Sequence, residues 1–98
     1  MYVILTSKPG QFKTEPVDGV RPFETYDYLF YGQKKARFVI AELLKPVKVR
    51  VIDETPPVTV NGVPSKFFQK FETIERARDE LRHLISFGNM DTRLEKVA

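Results

Sequence analysis

The 98-residue sequence has room for one ordinary domain and not two. Its hydrophobic fraction of 42% and charged fraction of 30% are typical of a globular protein and argue against a disordered chain. The absence of cysteine excludes disulfides, thiolate metal ligands and cysteine nucleophiles. Because no secretory pattern opens the sequence and no apolar run reaches the roughly 20 residues of a membrane helix, we expect a soluble, cytoplasmic protein.

The first part of the chain predicts one strand followed by a long loop. Residues Tyr2 to Thr6 are mostly β-branched or aromatic, and Lys8-Pro9-Gly10 ends the run with turn residues. From Gln11 to Pro22 no periodicity is visible, and Asp18-Gly19 is a turn dipeptide. We therefore expect an ordered surface loop here, of a length that is often functional.

The middle of the chain predicts a three-stranded antiparallel meander over residues 24–52. Its strands are Glu24–Tyr31, Ala36–Leu43 and Val47–Ile52. The second strand is apolar on both faces, which is typical of a central strand. In the third, valines alternate with Lys48 and Arg50, which indicates one buried face. In the first, alternation groups Tyr26 with Tyr28 but does not tell which face is buried.

Beyond the meander, residues 58–60 favour a short edge strand, and Asn61-Gly62 favours a turn. Residues 65–71 favour a short helix that would pack Phe67 and Phe71, four residues apart, on the core. Phe68 would then point elsewhere.

The strongest helical periodicity covers residues 74–87, where one apolar stripe faces a charged side. Thr73 is the expected N-cap and Gly88 the expected residue after the C-terminus. Residues 92–97 favour an edge strand or a frayed tail. The elements together predict a single α+β domain, in which a small, mostly antiparallel sheet around the meander is covered by this C-terminal helix and the short helix at 65–71.

No known catalytic or nucleotide-binding motif occurs in the sequence, which lacks the P-loop, the dinucleotide fingerprint and the nucleophile elbow. His83, the sole histidine, follows Asp79 by four positions, which favours a surface pair on the helix. One histidine without cysteine argues against a transition-metal site. We therefore predict no catalytic residue, no metal and no cofactor.

Basic residues concentrate between positions 33 and 50, where six of them against one acidic residue give +5, in a chain whose net charge is +3. Aromatic residues lie in the same region, and proteins that bind single-stranded nucleic acid combine these two residue types. The candidate nucleic-acid or anion site comprises Lys34, Lys35, Arg37, Lys48, Arg50, Tyr26, Tyr28 and Tyr31. The alternative is that the aromatic residues are core and the charges form a solvated strand face.

The segment after residue 64 contains a candidate protein interface, because an exposed Phe68 beside Lys66 and Lys70 would combine apolar and basic surface. The alternative is that these residues belong to a short helix that closes one end of the core. The leading hypothesis is accordingly a non-enzymatic accessory or protein-interaction module that binds a partner protein or a second copy, without a membrane partner. The alternatives are weak single-stranded nucleic-acid binding, and a small-ligand protein or enzyme whose pocket forms only in three dimensions.

Overall fold

The computed structural model describes residues 1–86 and 91–97. Its elements are β1 (Tyr2–Ser7), β2 (Phe12–Glu15), β3 (Val20–Phe30), β4 (Gln33–Leu43), β5 (Lys48–Asp53), β6 (Thr59–Pro64), a single 3-10 turn (Ser65–Phe67), α1 (Ile74–Leu84) and β7 (Thr92–Lys96). Two antiparallel sheets form, which we call the first sheet (order β1-β4-β3-β7) and the second sheet (order β2-β5-β6). No helix in the described part of the chain is long and apolar enough to cross a membrane.

The first sheet is the middle layer of the fold. On one of its faces, Phe38 and Ile40 pack against Leu81 of α1. On the other face, Leu5 and neighbouring side chains pack against Val49 of the second sheet. The predicted central position of the second apolar strand is confirmed, because β4 lies between β1 and β3 and contributes to both clusters.

The predicted three-stranded meander is wrong in its third strand. Strands β3 and β4 do form an antiparallel hairpin, but β5 pairs with β2 and β6 in the second sheet. Both edges of β4 are already occupied, by β1 and β3, so β5 has no free edge to join. The chain crosses to the other layer instead, where Val49 is buried while Lys48 and Arg50 are exposed, as their alternation predicted.

The predicted loop from Gln11 to Pro22 is also wrong, because it contains β2 and the start of β3. The predicted turns at Lys8-Pro9-Gly10 and Asp18-Gly19 are confirmed. Gln11 N–H donates to Lys8 O at 3.0 Å, and Val20 N–H donates to Val17 O at 3.0 Å. Strand β2 is short because Pro16 follows it. Its alternation of side chains is hard to recognise in the sequence, because Lys13 and Glu15 on its outer side carry opposite charges.

The predicted helix at 65–71 is reduced to the single 3-10 turn, after which Phe68 has extended φ and ψ of −84° and 141°. Helical spacing therefore does not apply to the three phenylalanines. Phe71 is buried as expected, but Phe67 is 71% exposed. Phe68 is half-buried against the apolar cluster between the two sheets, which contains Leu5 and Val49. The expectation that Phe68 is the exposed member is wrong.

The main helix begins as predicted, since the Thr73 side chain accepts a hydrogen bond from the N–H of Arg76 at 3.2 Å. It ends at Leu84, earlier than predicted, where Ile85 leaves helical geometry. Phe87 and the expected Gly88 cap lie outside the described residues. Of the two alternatives for the tail, the edge strand is confirmed, because β7 pairs with β3. The predicted edge strand at 58–60 is present and longer, as β6, and Asn61-Gly62 lies within it instead of forming a turn.

Candidate functional site

The five basic residues of the sequence-derived patch lie on three separate surfaces. Lys35 lies beside Tyr28 on the face of the first sheet that packs against α1. Arg37 and Lys34 contact Asp27 instead, and the register pairs Asp27 directly with Arg37. Lys48 and Arg50 lie on the outer face of the second sheet.

Asp27 neutralises part of this patch. The Nε of Arg37 donates to its carboxylate at 2.8 Å, and the Nζ of Lys34 lies 3.5 Å from the same oxygen. The hydrogen bond from Arg37 is the main reason that the pKa of Asp27 is lowered from its ordinary value. These two cations are therefore already engaged by a carboxylate within the chain.

The predicted stacking tyrosines are divided between core and surface. Tyr26 and Tyr28 are half-buried and pack on the cluster under α1. The Tyr26 hydroxyl also donates to a carboxylate oxygen of Glu24 at 3.0 Å. Tyr31 is exposed at the β3–β4 turn, with its ring edge-to-face with Phe30 at 4.7 Å between centroids. The three rings therefore do not form a continuous aromatic surface on which bases could stack.

The buried carboxylate of Glu24 is the centre of an ion-pair cluster that the sequence did not reveal. Arg78 of α1 donates to both carboxylate oxygens, at 2.8 and 2.7 Å, and the Nζ of Lys96 on β7 lies 3.2 Å away. These bonds, chiefly the one from Arg78, lower the pKa of Glu24 from 4.5 to about 2. The cluster joins β3, β7 and α1. Its members are separated by up to 72 residues in the printed sequence, so no local signal could reveal it.

The residues predicted for a protein interface lie around the 3-10 turn. The Nζ of Lys66 stands 5.3 Å from the centroid of the exposed Phe67 ring. The Nζ of Lys70 donates to the carbonyl oxygens of Ser65 and Phe68, at 3.2 and 3.5 Å. Lys70 thus closes the turn, while Phe67 and Lys66 supply the surface that the prediction had assigned to Phe68.

The neighbouring strand β6 is one of the two edge strands of the second sheet, and no described residue pairs with its outer side. It lies within residues 55–65, the longest uncharged run of the chain. Val58 and Val60 are 64% and 60% exposed. Native edge strands are usually protected by charged side chains, so an uncharged and exposed edge is a potential pairing surface.

The hydrogen-bonding pattern defines which backbone groups of β6 point outward. The N–H of Ser65 donates to Val47 O at 2.8 Å, and the register continues from there without a bulge. Because hydrogen-bonded positions alternate along an antiparallel pair, Val63 and Asn61 also bond to β5. The N–H and C=O groups of Val60 and Gly62 consequently face outward, where a further strand could pair with them.

A cavity of about 520 Å³ opens at one end of the face under α1. Tyr28, Phe38 and Leu84 line its apolar part, while Lys8 and Lys35 lie at its polar part. Neither lysine forms a salt bridge to a described residue within 4.0 Å. The volume is within the range of small-molecule sites, and the two cations would suit an anionic group.

The expected helical pair of His83 and Asp79 does not form, because Asp79 accepts a hydrogen bond from Arg82 at 2.7 Å. Within residues 1–86 and 91–97, no group of three or more metal-ligating side chains is close enough to hold an ion. Searches against protein-family models, curated proteins and solved structures found no significant match to this chain.

Proposed function

We propose that this protein is a non-enzymatic protein-interaction module, and that it binds an extended segment by adding it as a strand to the free edge of β6. The observation that carries the proposal is the uncharged outer edge of β6, with its exposed valines and outward N–H and C=O groups. Strand addition is an established form of peptide recognition, in which main-chain hydrogen bonds supply affinity and alternate side chains supply specificity.

The side chains around this edge support the same proposal. Val60 lies across from Ile52 on the outer face of the second sheet, which gives an apolar strip next to the edge. Directly after β6, in the 3-10 turn, Lys66 and Phe67 are exposed as well. Interface cores are enriched in apolar and aromatic residues, so a bound segment could bury both parts.

The direct test is an NMR titration with a capped eight-residue Thr-Val peptide that carries one lysine at each end for solubility. Binding at the edge should slow hydrogen exchange of the Val60 and Gly62 amides, whose N–H groups point outward. The amides of Asn61 and Val63 bond to β5 already and serve as internal controls. If millimolar peptide leaves the β6 amides unshifted and unprotected, the proposal is refuted.

A matched variant is Val60→Pro, which removes an outward N–H and breaks no bond of the second sheet. In this variant, the peptide should no longer slow hydrogen exchange of the Gly62 amide, while the amides of the first sheet should keep their chemical shifts. The control is Thr25→Val, a change on β3 that leaves the second sheet's edge intact. Equal peptide binding by Val60→Pro and the wild type would contradict strand addition at this edge.

The cavity beside Lys35 favours a second candidate function, the binding of a small amphipathic carboxylate. Its apolar part could hold an aromatic or short aliphatic body, and Lys8 and Lys35 could bind the carboxylate. Benzoate and indole-3-acetate should raise the melting temperature more than their neutral amides, and the double variant Lys8→Gln/Lys35→Gln should remove the difference. Equal effects of acids and amides would refute this candidate.

The prediction of nucleic-acid binding has less structural support than either proposal. Its cations occupy three surfaces, and two of them are engaged by Asp27. Tyr26 and Tyr28 pack under α1, so Tyr31 alone is available for stacking among the three. Nucleic-acid binding therefore stays a prediction.

A further inference from the structure

We infer that the segment received by β6 is β6 of a second copy of this chain, in a two-fold symmetric antiparallel pair centred on Asn61. This inference rests on the proposed function and adds the identity of the partner. The two second sheets would become one continuous six-stranded sheet, with the order β2-β5-β6-β6-β5-β2. A two-fold interface requires one surface to be complementary to itself, and β6 meets this requirement in three respects.

The first respect is the backbone. Outward groups occur at Val60 and Gly62, which are equally distant from Asn61 on either side. In an antiparallel pair centred on Asn61, Val60 of each copy lies opposite Gly62 of the other, and each such pair exchanges two hydrogen bonds. Four backbone bonds result. Pro64, the next outward position, has no N–H, so the ladder would end there on both sides.

The second respect is the fit of the side chains. In this register Val60 lies beside Gly62 of the second copy, which has no side chain to obstruct it. The strip formed by Val60 and Ile52 would then continue across the interface. At the centre, the two copies of Asn61 are a non-hydrogen-bonded pair with about 4.5 Å between Cα atoms, close enough for their amides to bond to each other.

The third respect is charge. Asp53 lies opposite the first residue of β6, and Glu54 follows it. Lys48 lies opposite the last residue of β6, and Lys66 follows shortly after. The strand therefore has an acidic end and a basic end. Antiparallel pairing places each acidic end near the other copy's basic end, whereas parallel pairing would bring like charges together.

The interface would be small, because each copy contributes one six-residue strand and its flanking residues. Interfaces at the low end of the size range are weak or transient. We expect a dissociation constant of about 10 to 500 µM. The wild-type chain should accordingly change from monomer to dimer across this concentration range in analytical ultracentrifugation.

The decisive experiment uses the fact that only this register places residue 61 against itself. Asn61→Asp alone and Asn61→Lys alone would each put like charges at the two-fold axis, and each should raise the dissociation constant at least about tenfold. An equimolar mixture of the two should form a heterodimer about as readily as the wild type does. Gln33→Asp and Gln33→Lys, exposed changes at the β3–β4 turn, are the matched controls and should dimerise normally.

Circular dichroism should show that all four variants are folded. A wild type that stays monomeric at 1 mM, single variants that dimerise normally, or a mixture without recovery would each overturn the inference. The two levels of the proposal fail differently. A monomeric chain that still binds the Thr-Val peptide along β6 would overturn the dimer and leave the proposed function standing, whereas loss of both results would overturn both.

Discussion

Replacement of Glu24 by glutamine should destabilise the protein at neutral pH, although the change is nearly isosteric. Its side chain is 8% exposed and is bound by Arg78, Lys96 and Tyr26. The charged form is stabilised in the folded state, since the pKa of Glu24 is lowered from 4.5 to about 2. At about 1.4 kcal/mol per pKa unit, this shift corresponds to at most about 4 kcal/mol.

Solvent reduces this value, because the side chains of Arg78 and Lys96 are 34% and 57% exposed. We therefore expect Glu24→Gln to lower the free energy of unfolding by about 1 to 2 kcal/mol at pH 7. The folded pKa lies below the unfolded one, so the contribution is complete above about pH 5 and is lost as the pH falls from 4.5 towards 2.

Urea unfolding of wild type and variant at pH 7, 5, 4 and 3, followed by circular dichroism, measures this difference. The gap between the two proteins should be widest at pH 7 and should narrow at pH 4 and 3. Glu42→Gln is the control, because its partner Arg21 is exposed at the sheet edge and such pairs contribute under about 1 kcal/mol. An equally stable Glu24→Gln, or a deficit that stays constant down to pH 3, would refute the reasoning.

Three further predictions use other parts of the fold. Gly19 has a φ of 94°, and a Cβ there would lie 2.7 Å from Val47, so Gly19→Ala should cost at least about 2 kcal/mol in urea unfolding. Gly10→Ala, at φ 75° with no atom within 4 Å, should cost only about 1 kcal/mol and isolates the backbone effect. Thr73→Ala removes the N-cap of α1 and should cost about 1 kcal/mol; a change below 0.3 kcal/mol would contradict the cap's role. In an NMR titration at low salt, a mixed single-stranded oligonucleotide should change the chemical shifts of few amides within residues 26–50, because the cations there are divided among three surfaces. Salt-sensitive shift changes across the whole range would restore the nucleic-acid hypothesis.

Local patterns were sufficient for most individual strands and for the start of the helix. The alternation of valines with Lys48 and Arg50 identifies one buried face, whichever sheet the strand joins. The apolar faces of β4 indicate a strand covered on both sides, and Thr73 is recognisable as a cap because it acts on its own neighbours. Each of these features depends on residues a few positions apart, so a single sequence contains it.

For the candidate site, the sequence supplied the uncharged run and the valines of β6, and a short edge strand was predicted there. It could not show which backbone groups face outward, because this depends on the register with β5. It also misassigned the exposed phenylalanine, since the choice between Phe67 and Phe68 depends on a 3-10 turn and not on helical spacing.

The sequence by itself determined the α+β character, the central strand β4, the main helix α1, and the alternation of buried and exposed residues in β5. Only the tertiary structure decided that β5 crosses to the second sheet, because both edges of β4 are taken by β1 and β3. It alone brought Arg78 and Lys96 to Glu24 and left the edge of β6 free. The physical reason is that strand pairing and buried ion pairs join residues far apart in the chain, and local patterns do not specify which distant partner is chosen.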